Sequence, residues 1–208
     1  MENDFIDHIN KNSLFSKDSK LLVAVSGGID SICLVSLLIE LKYNIEIAHC
    51  NFRLRSKESD EDLNFVKQFS ETNNISFHSR SFNTNEYAKN KKISIQMAAR
   101  ELRYDWLKKL RLDIKADHIV TGHNLDDKIE TFFLNIIRGT GLKGLISMKK
   151  NNDFIVRPLI FAKRKQIEDY VRKRKIHYRE DSSNISIKYK RNKVRHELIP
   201  LLKEFNPS

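Results

Sequence analysis

Cysteine is almost absent from this chain of 208 residues: Cys33 and Cys50 are the two that occur, and they form no C-x-x-C pair. Neither a zinc site nor a disulfide framework is expected, and a reducing compartment suits the composition. Cys33 falls on the apolar side of a helix and reads as a core residue. No apolar run approaches the length of a membrane span, and the opening Met1-Glu2-Asn3-Asp4 lacks the basic and apolar regions of a signal peptide. No membrane partner is expected. There is no internal repeat and no low-complexity segment. A chain of this length can bury a real core as one domain with a small appendage.

Positive charge is in excess, and it is unevenly spread. The formal net charge is +11, and the stretch from Lys149 to Glu197 holds sixteen Lys or Arg against six Asp or Glu, which leaves the rest of the chain almost neutral. A solubility charge would be dispersed, whereas local concentration is the footprint of a polyanion site. The plainer reading of the same stretch is a solvated basic face.

The chain is organised around Leu21-Leu22-Val23-Ala24-Val25-Ser26-Gly27-Gly28-Ile29-Asp30-Ser31. Five apolar residues read as a strand covered on both faces. Two glycines then allow close approach of a ligand to the backbone. Ile32, Val35, Leu38 and Ile39 follow at helical spacing, so the loop ends at a helix N-terminus, where free N–H groups and the positive dipole end favour an anion. A phosphate chain suits this arrangement. It is not a Walker A loop, because no lysine follows the glycines, nor is it Gly-x-Gly-x-x-Gly. Ser-Gly-Gly-Ile-Asp-Ser resembles the PP-loop of the ATP pyrophosphatases, which split ATP between its α and β phosphates. That resemblance implies that the N–H groups of Gly27, Gly28 and Ile29, with Ser26 and Ser31, hold the departing pyrophosphate. It also implies that Asp30 orients Mg²⁺ or the α-phosphate.

Around this unit the chain alternates strands and helices. Residues 1–19 read as an amphipathic lead-in, Ile45–His49 as a second strand, Glu58–Thr72 as a helix and Ile75–His78 as a third strand. Cys50 to Lys57 reads as a polar and basic loop, and Ser81 to Lys92 as a loop with a short helical turn. Ser94 caps a helix striped with Ile95, Ala98, Leu102, Trp106, Leu107 and Leu110, on which Arg100 and Arg103 are neighbours. Asp117–His123 reads as a fourth strand ending in a polar turn, and Asn124 caps the amphipathic helix that follows. Gly139 to Gly144 is flexible, phosphate-compatible chain. Phe154–Ile160 reads as a last strand, ended by proline. A basic helix from Lys163 to about Lys175 turns Ile167, Tyr170 and Val171 inward. The expected fold is α/β, a doubly wound and mostly parallel sheet over residues 1–160, with a basic helical extension over 161–208.

A second concentration of chemistry begins at the fourth strand's end: Thr121-Gly122-His123-Asn124-Leu125-Asp126-Asp127-Lys128-Ile129-Glu130-Thr131. Asp127 and Glu130 are three apart and share a helix side. Capping and the helix dipole account for Asp126 with no function attached. A run of His, two Asp and Glu also suits a metal-bound triphosphate or a proton-transfer site. This stretch, with Arg138-Gly139-Thr140-Gly141-Leu142, resembles the second signature of the tRNA(Ile)-lysidine synthetases. Ala99-Arg100-Glu101-Leu102-Arg103-Tyr104 is similar to that family's Ala-Arg-x-x-Arg-Tyr helix. Asp181-Ser182-Ser183-Asn184 with Arg191-Asn192 and Arg195 resembles its closing motif. Asn124 stands where many members carry a second histidine.

The resemblance implies a Rossmann-like PP-loop fold and a two-step reaction. ATP adenylates the C2 oxygen of the wobble cytidine in a CAU anticodon, and free L-lysine displaces AMP. Arg100 and Arg103 would meet charge on the α-phosphate. Asp127, Glu130 or His123 would serve as base or ammonium ligand. Arg191, Asn192 and Arg195 would hold the anticodon stem of tRNA(Ile). A homodimer, and a bacterial cytoplasm or plastid stroma, are the settings it suggests. Lysidine synthetases usually continue into further tRNA-gripping domains, so a short form or a fragment is expected here. The alternatives are tRNA thiolation, for which paired cysteines are missing, and a non-catalytic module that binds nucleotide and RNA.

Overall fold

The computed structural model describes residues 1–55, 57–141, 151–152, 154–180 and 190–205. Among these residues six strands form one sheet in the order β3-β2-β1-β4-β6-β5. They are β1 (Lys20–Ala24), β2 (Asn44–Asn51), β3 (Phe77–Ser81), β4 (His118–Thr121), β5 (Asn151–Asn152) and β6 (Ile155–Val156). All neighbours pair in parallel except β5, which runs antiparallel to β6. Helices α1 (Glu2–Lys11), α2 (Ile29–Glu40), α3 (Lys57–Thr72), α4 (Thr84–Lys91), α5 (Ile95–Asp113), α6 (Leu125–Ile137) and α7 (Arg164–Lys173) lie between and beside the strands. At the C-terminal end α8 (Lys190–Lys193) runs through a π-helical stretch, Val194–Leu198, into α9 (Ile199–Phe205).

The unbroken apolar run of β1 has a direct structural cause. Leu21 and Val23 enter a core with α1, α2 and α7, while Leu22 faces the opposite way into a smaller core beneath α5 with Leu107, Ala116 and Ile119. Period-two alternation is therefore present, but both faces are dry. Val23 pairs with Ile47 on one side and with Val120 on the other, so β1 is central. The chain leaves β1 towards β2 and β3, whereas β4 builds the other half. The crevice at the carboxyl ends of β1 and β4 is the switch point at which doubly wound sheets bind ligands.

Several boundaries differ from those read off the sequence. The third strand lies at 77–81 instead of 75–78: Asn74 turns the chain at φ 53° and Ile75 N–H returns to Ser70 O at 2.9 Å. This edge strand is largely solvated, so its hydrophobic pattern is weak. Cys50 and Asn51 continue β2. The segment expected as a loop holds α4, capped by Asn83; Thr84 and Ala88 are its buried residues, too small to show as a stripe. In the last strand Ile155 and Val156 alone join the ladder before Arg157-Pro158 leads away. Ile167, Tyr170 and Val171 of α7 lie in the main core with Leu159 and Ala162, so packing is continuous across position 160. The Asp181–Asn184 motif and Leu142–Gly144 lie outside the described residues.

Candidate active site at the carboxyl edge of the sheet

The loop after β1 is shaped by its own residues. Gly27 has φ 95°, a conformation open to glycine without strain, and Gly28 is the N-cap of α2. Ser31 Oγ donates to Gly28 O at 2.8 Å and accepts from Ser26 N–H at 3.3 Å, while Gly28 N–H donates to Ser26 Oγ at 3.3 Å. Behind the loop, buried His49 bonds Val25 O through Nδ1 at 2.9 Å, and burial lowers its pKa. Arg179 N–H donates to Gly27 O at 2.9 Å, so the chain after α7 crosses the loop. The Arg179 guanidinium is held by Asp62 at 3.0 Å and Glu61 at 2.8 Å.

The turn after β4 presses directly on this loop. A Cβ at Gly122 would lie 3.0 Å from the carbonyl carbon and oxygen of Asp30 and 3.1 Å from Ser31 Cα, so close approach of two backbones requires glycine here. Asn124 opens α6 with a capping box: its Oδ1 accepts from Asp127 N–H at 3.0 Å, and its own N–H donates to Asp127 Oδ2 at 3.1 Å. The same side chain donates from Nδ2 to Asp30 Oδ1 at 3.0 Å. One asparagine thus joins the two motifs.

Charge fills the crevice. Asp30 Oδ2 accepts from Arg164 Nη1 at 2.6 Å. Burial raises the Asp30 pKa, with Arg164 opposing and Asp127 reinforcing the shift. Glu130 is 1 % exposed and takes Arg191 Nε at 2.6 Å on one oxygen and Arg195 Nε at 2.5 Å on the other. Arg191 Nη2 also reaches Asp127 Oδ1 at 2.9 Å. His123 shares a hydrogen bond of 2.9 Å between Nδ1 and the Thr121 hydroxyl. Burial, then the fields of Arg157, Arg191, Arg103 and Arg100, push its pKa down to about 3, so the imidazole is neutral. Arg103 lies over the Phe52 ring at 5.2 Å and Arg100 over Tyr104 at 4.9 Å. A neutral imidazole ringed by guanidinium groups, beside a helix N-terminus, is an environment for a polyanion.

A family model described as a PP-loop domain matches residues 1–202. The chain belongs to the PP-loop domain family. Among curated relatives, the tRNA(Ile)-lysidine synthase of Porphyromonas gingivalis is 48 % identical over 202 residues, covering 96 % of this chain and 44 % of its own. That of Bacteroides thetaiotaomicron is 46 % identical over 203 residues, 98 % of this chain and 48 % of its own. The chain thus spans less than half the length of these relatives. Among solved structures, the U34-tRNA thiolase NcsA from Methanococcus maripaludis superposes with a TM-score of 0.80 at 19 % identity, over 99 % of this chain and 73 % of that one. The ammonia-dependent NAD synthetase from Campylobacter jejuni gives 0.61 at 15 % identity, over 98 % and 82 %. These two share the fold.

The PP-loop residues Ser26 to Ser31, and Asp127 and Glu130, come together at one crevice. The fields of Arg100 and Arg103 reach it at His123. Arg191 and Arg195, expected on RNA, turn their guanidinium groups onto the α6 carboxylates, and Asn192 is buried. Two residues of the crevice are missed by the reading of the sequence. Arg164 is one cation in a basic run. Gly122 lies inside a motif whose charged members draw the eye, although a glycine at a strand-to-helix turn is itself a sign of close backbone approach.

Proposed function

We propose that this domain activates the wobble cytidine of a CAU-anticodon isoleucine tRNA with ATP and ligates lysine to it. The observation that carries this reading is the Asn124–Asp30 hydrogen bond, which fuses the phosphate loop and the acidic helix entrance into one crevice. The identity to named tRNA(Ile)-lysidine synthases supports the choice of substrate.

In the first step the cytidine C2 oxygen attacks the α-phosphorus of ATP, the bond to pyrophosphate breaks, and AMP stays on the base. Loop N–H groups, Ser26, Ser31 and the α2 dipole receive the pyrophosphate. Arg100 and Arg103 meet charge on the α-phosphate. His123, neutral before ATP binds, presents an imidazole hydrogen-bonding group there. In the second step a lysine amine attacks C2, the carbon–oxygen bond breaks, and AMP leaves. The proton lost from the amine passes to Asp127 or Glu130, whose arginine partners hold them beside the nucleophile. Magnesium sites on nucleotides use one or two carboxylates plus phosphate oxygens. Asp30, with Asp127 near enough to raise its pKa, fits that donor set. Among the described residues no group of three or more His, Cys, Asp or Glu could hold a metal ion, so the phosphates would supply the remaining ligands. Bound magnesium would offset charge on the leaving pyrophosphate.

With Arg191 and Arg195 engaged at α6, contacts to the anticodon stem fall to the exposed lysines of the basic third, among them Lys163, Lys165, Lys173, Lys175, Lys190 and Lys193. No helix among the described residues is long and apolar enough to cross a membrane. Sulfur transfer is disfavoured by the thiols, since burial pushes both Cys33 and Cys50 up to about 12.

The test is ATP-dependent incorporation of labelled lysine into CAU-anticodon isoleucine tRNA, with a Gly28→Val control. A Cβ at Gly28 meets only Ser26 Oγ, at 3.5 Å, so the side chain would obstruct phosphate without straining the loop. Labelling that is lost in the control is expected. AMP release without lysine transfer, or no turnover by this chain, would overturn the proposal.

A further inference from the structure

Arg164 opens α7 at 134 positions from Asp30 in sequence, and it holds both motifs at once. Its Nη1 donates to Asp30 Oδ2 at 2.6 Å, and its backbone N–H donates to Asp126 Oδ2 at 2.7 Å. The other oxygen of Asp30 takes Asn124 Nδ2 at 3.0 Å. Rotation of an aspartate carboxylate is ordinarily broad, with no deep well to hold it. A charged donor on one oxygen and an amide donor on the other fix it, and the charge-assisted member of the pair is the stronger. Arg164 is itself steadied by Glu168, which accepts from its Nε at 2.9 Å. The guanidinium thus bridges its own helix, through Nε to Glu168, and the phosphate loop, through Nη1 to Asp30, which a residue serving α7 alone would not need to do. The apolar face that seats α7, Ile167, Tyr170 and Val171, lies on other positions.

We propose that Arg164 is a positioning residue for the nucleotide step: it holds Asp30 in one orientation towards the metal–nucleotide and, through Asp126, ties that orientation to the entrance of α6. Arg164 thereby makes the orientation of the Asp30 carboxylate, though not the backbone shape of the PP-loop, depend on the docking of α7, an element that neither motif contains. The inference rests on the nucleotide half of the proposed function and not on the identity of the acceptor.

The experiment is calorimetric titration of ATP with magnesium into the 208-residue chain, with urea unfolding of each variant alongside. Arg164→Ala is expected to bind ATP about tenfold more weakly while its unfolding remains cooperative. Arg164→Lys, which keeps one charged donor, is expected to lose about threefold, and Glu168→Gln less than about twofold. Because Arg164 acts through Asp30, adding Arg164→Ala to Asp30→Asn should weaken binding by less than about a further twofold. ATP affinity of Arg164→Ala within about twofold of the parent would overturn the proposal. So would a full additional tenfold loss in the Asp30→Asn background, since the arginine would then contact phosphate itself. Failure of the parent to bind ATP would instead overturn the nucleotide reading, and absence of lysine transfer with ATP binding intact would leave the role of Arg164 standing.

Discussion

Ser26, Gly28 and Ser31 hold one another by hydroxyl and amide hydrogen bonds within six residues of chain. On the adjoining helix, Asp127 and Glu130 are held by guanidinium groups 61 to 65 positions downstream. The first arrangement is neutral and local; the second is ionic and closed by distant chain. A loop of the first kind keeps its shape whenever β1 and α2 pack. A carboxyl group such as Glu130, 1 % exposed, tolerates burial because two arginines face it. The phosphate site is thus built into the core, whereas the acidic site depends on the docked C-terminal helix.

The largest effect should come from breaking the ionic half. Glu130→Ala removes the buried carboxylate that Arg191 and Arg195 share and leaves Asp127 alone to face both half-buried guanidinium groups, and should cost about 3 kcal/mol, the low end for breaking a buried pair. Urea unfolding measures it. A loss under about 1 kcal/mol would mean that the Asn124 capping box, which is local, holds the helix entrance without help. The two regions would then be alike.

Gly122→Ala strikes where they meet. The new methyl would sit 3.0 Å from backbone atoms of Asp30 and 3.1 Å from Ser31 Cα, neither of which can swing aside. Forced overpacking of this kind should cost about 2 kcal/mol and weaken ATP binding. Gly28→Ala is the contrast: its Cβ meets only Ser26 Oγ, at 3.5 Å, so stability should change by less than about 1 kcal/mol. Equal costs at the two glycines would show that the crevice is looser than its contacts imply.

What could be read from the sequence divides along the same line. Ser26 to Ser31 was legible because a strand, two glycines and a helix are consecutive, and their geometry is set by neighbours. The Asn124 cap and the α5 stripe were legible for the same reason. The partners of Asp30, Asp127 and Glu130 were not, because a basic run gives no sign of which cation faces inward. The local excess of charge from Lys149 to Glu197 also misleads: Arg164, Arg174, Arg179, Arg191 and Arg195 pair with carboxylates elsewhere in the fold, so part of the apparent polyanion surface is already neutralised. The helical turn expected within Ser81–Lys92 is a full helix, α4, whose length is hidden because Ala88 is a small anchor, and the third strand sits two residues later than expected because an edge strand need not alternate.

Acid titration separates the two halves by sign. The His123 pKa falls from 6.5 to about 3 on folding, so between these values the unfolded chain takes up a proton that the folded chain refuses. Stability should therefore decline as pH drops from about 6.5 towards 3. His123→Asn should flatten that part of the stability profile. Asp30 has the opposite sign: its raised pKa means that the folded state binds its proton first, so this residue adds stability on acidification and loses it as pH rises through the folded value. Asp30→Asn should consequently steepen the acid decline. Unchanged slopes in both variants would show that neither group is desolvated at the crevice, since burial is the first cause of both shifts.

The smallest effect is expected at Arg179, which lies against the phosphate loop and is held by charge. Its side-chain pairs with Glu61 and Asp62 are partly exposed, and Asp62 keeps a second partner in Arg55 at 2.8 Å. The contact with the loop itself, N–H to Gly27 O, belongs to the backbone and persists in any variant but proline. Arg179→Ala should cost about 0.5–1 kcal/mol, less still in high salt, and leave ATP affinity within about twofold. A loss above about 2 kcal/mol, or a matching fall in ATP affinity, would mean that the downstream chain holds the phosphate loop as firmly as it holds Glu130, and the contrast between a self-held loop and a docked acidic site would fail.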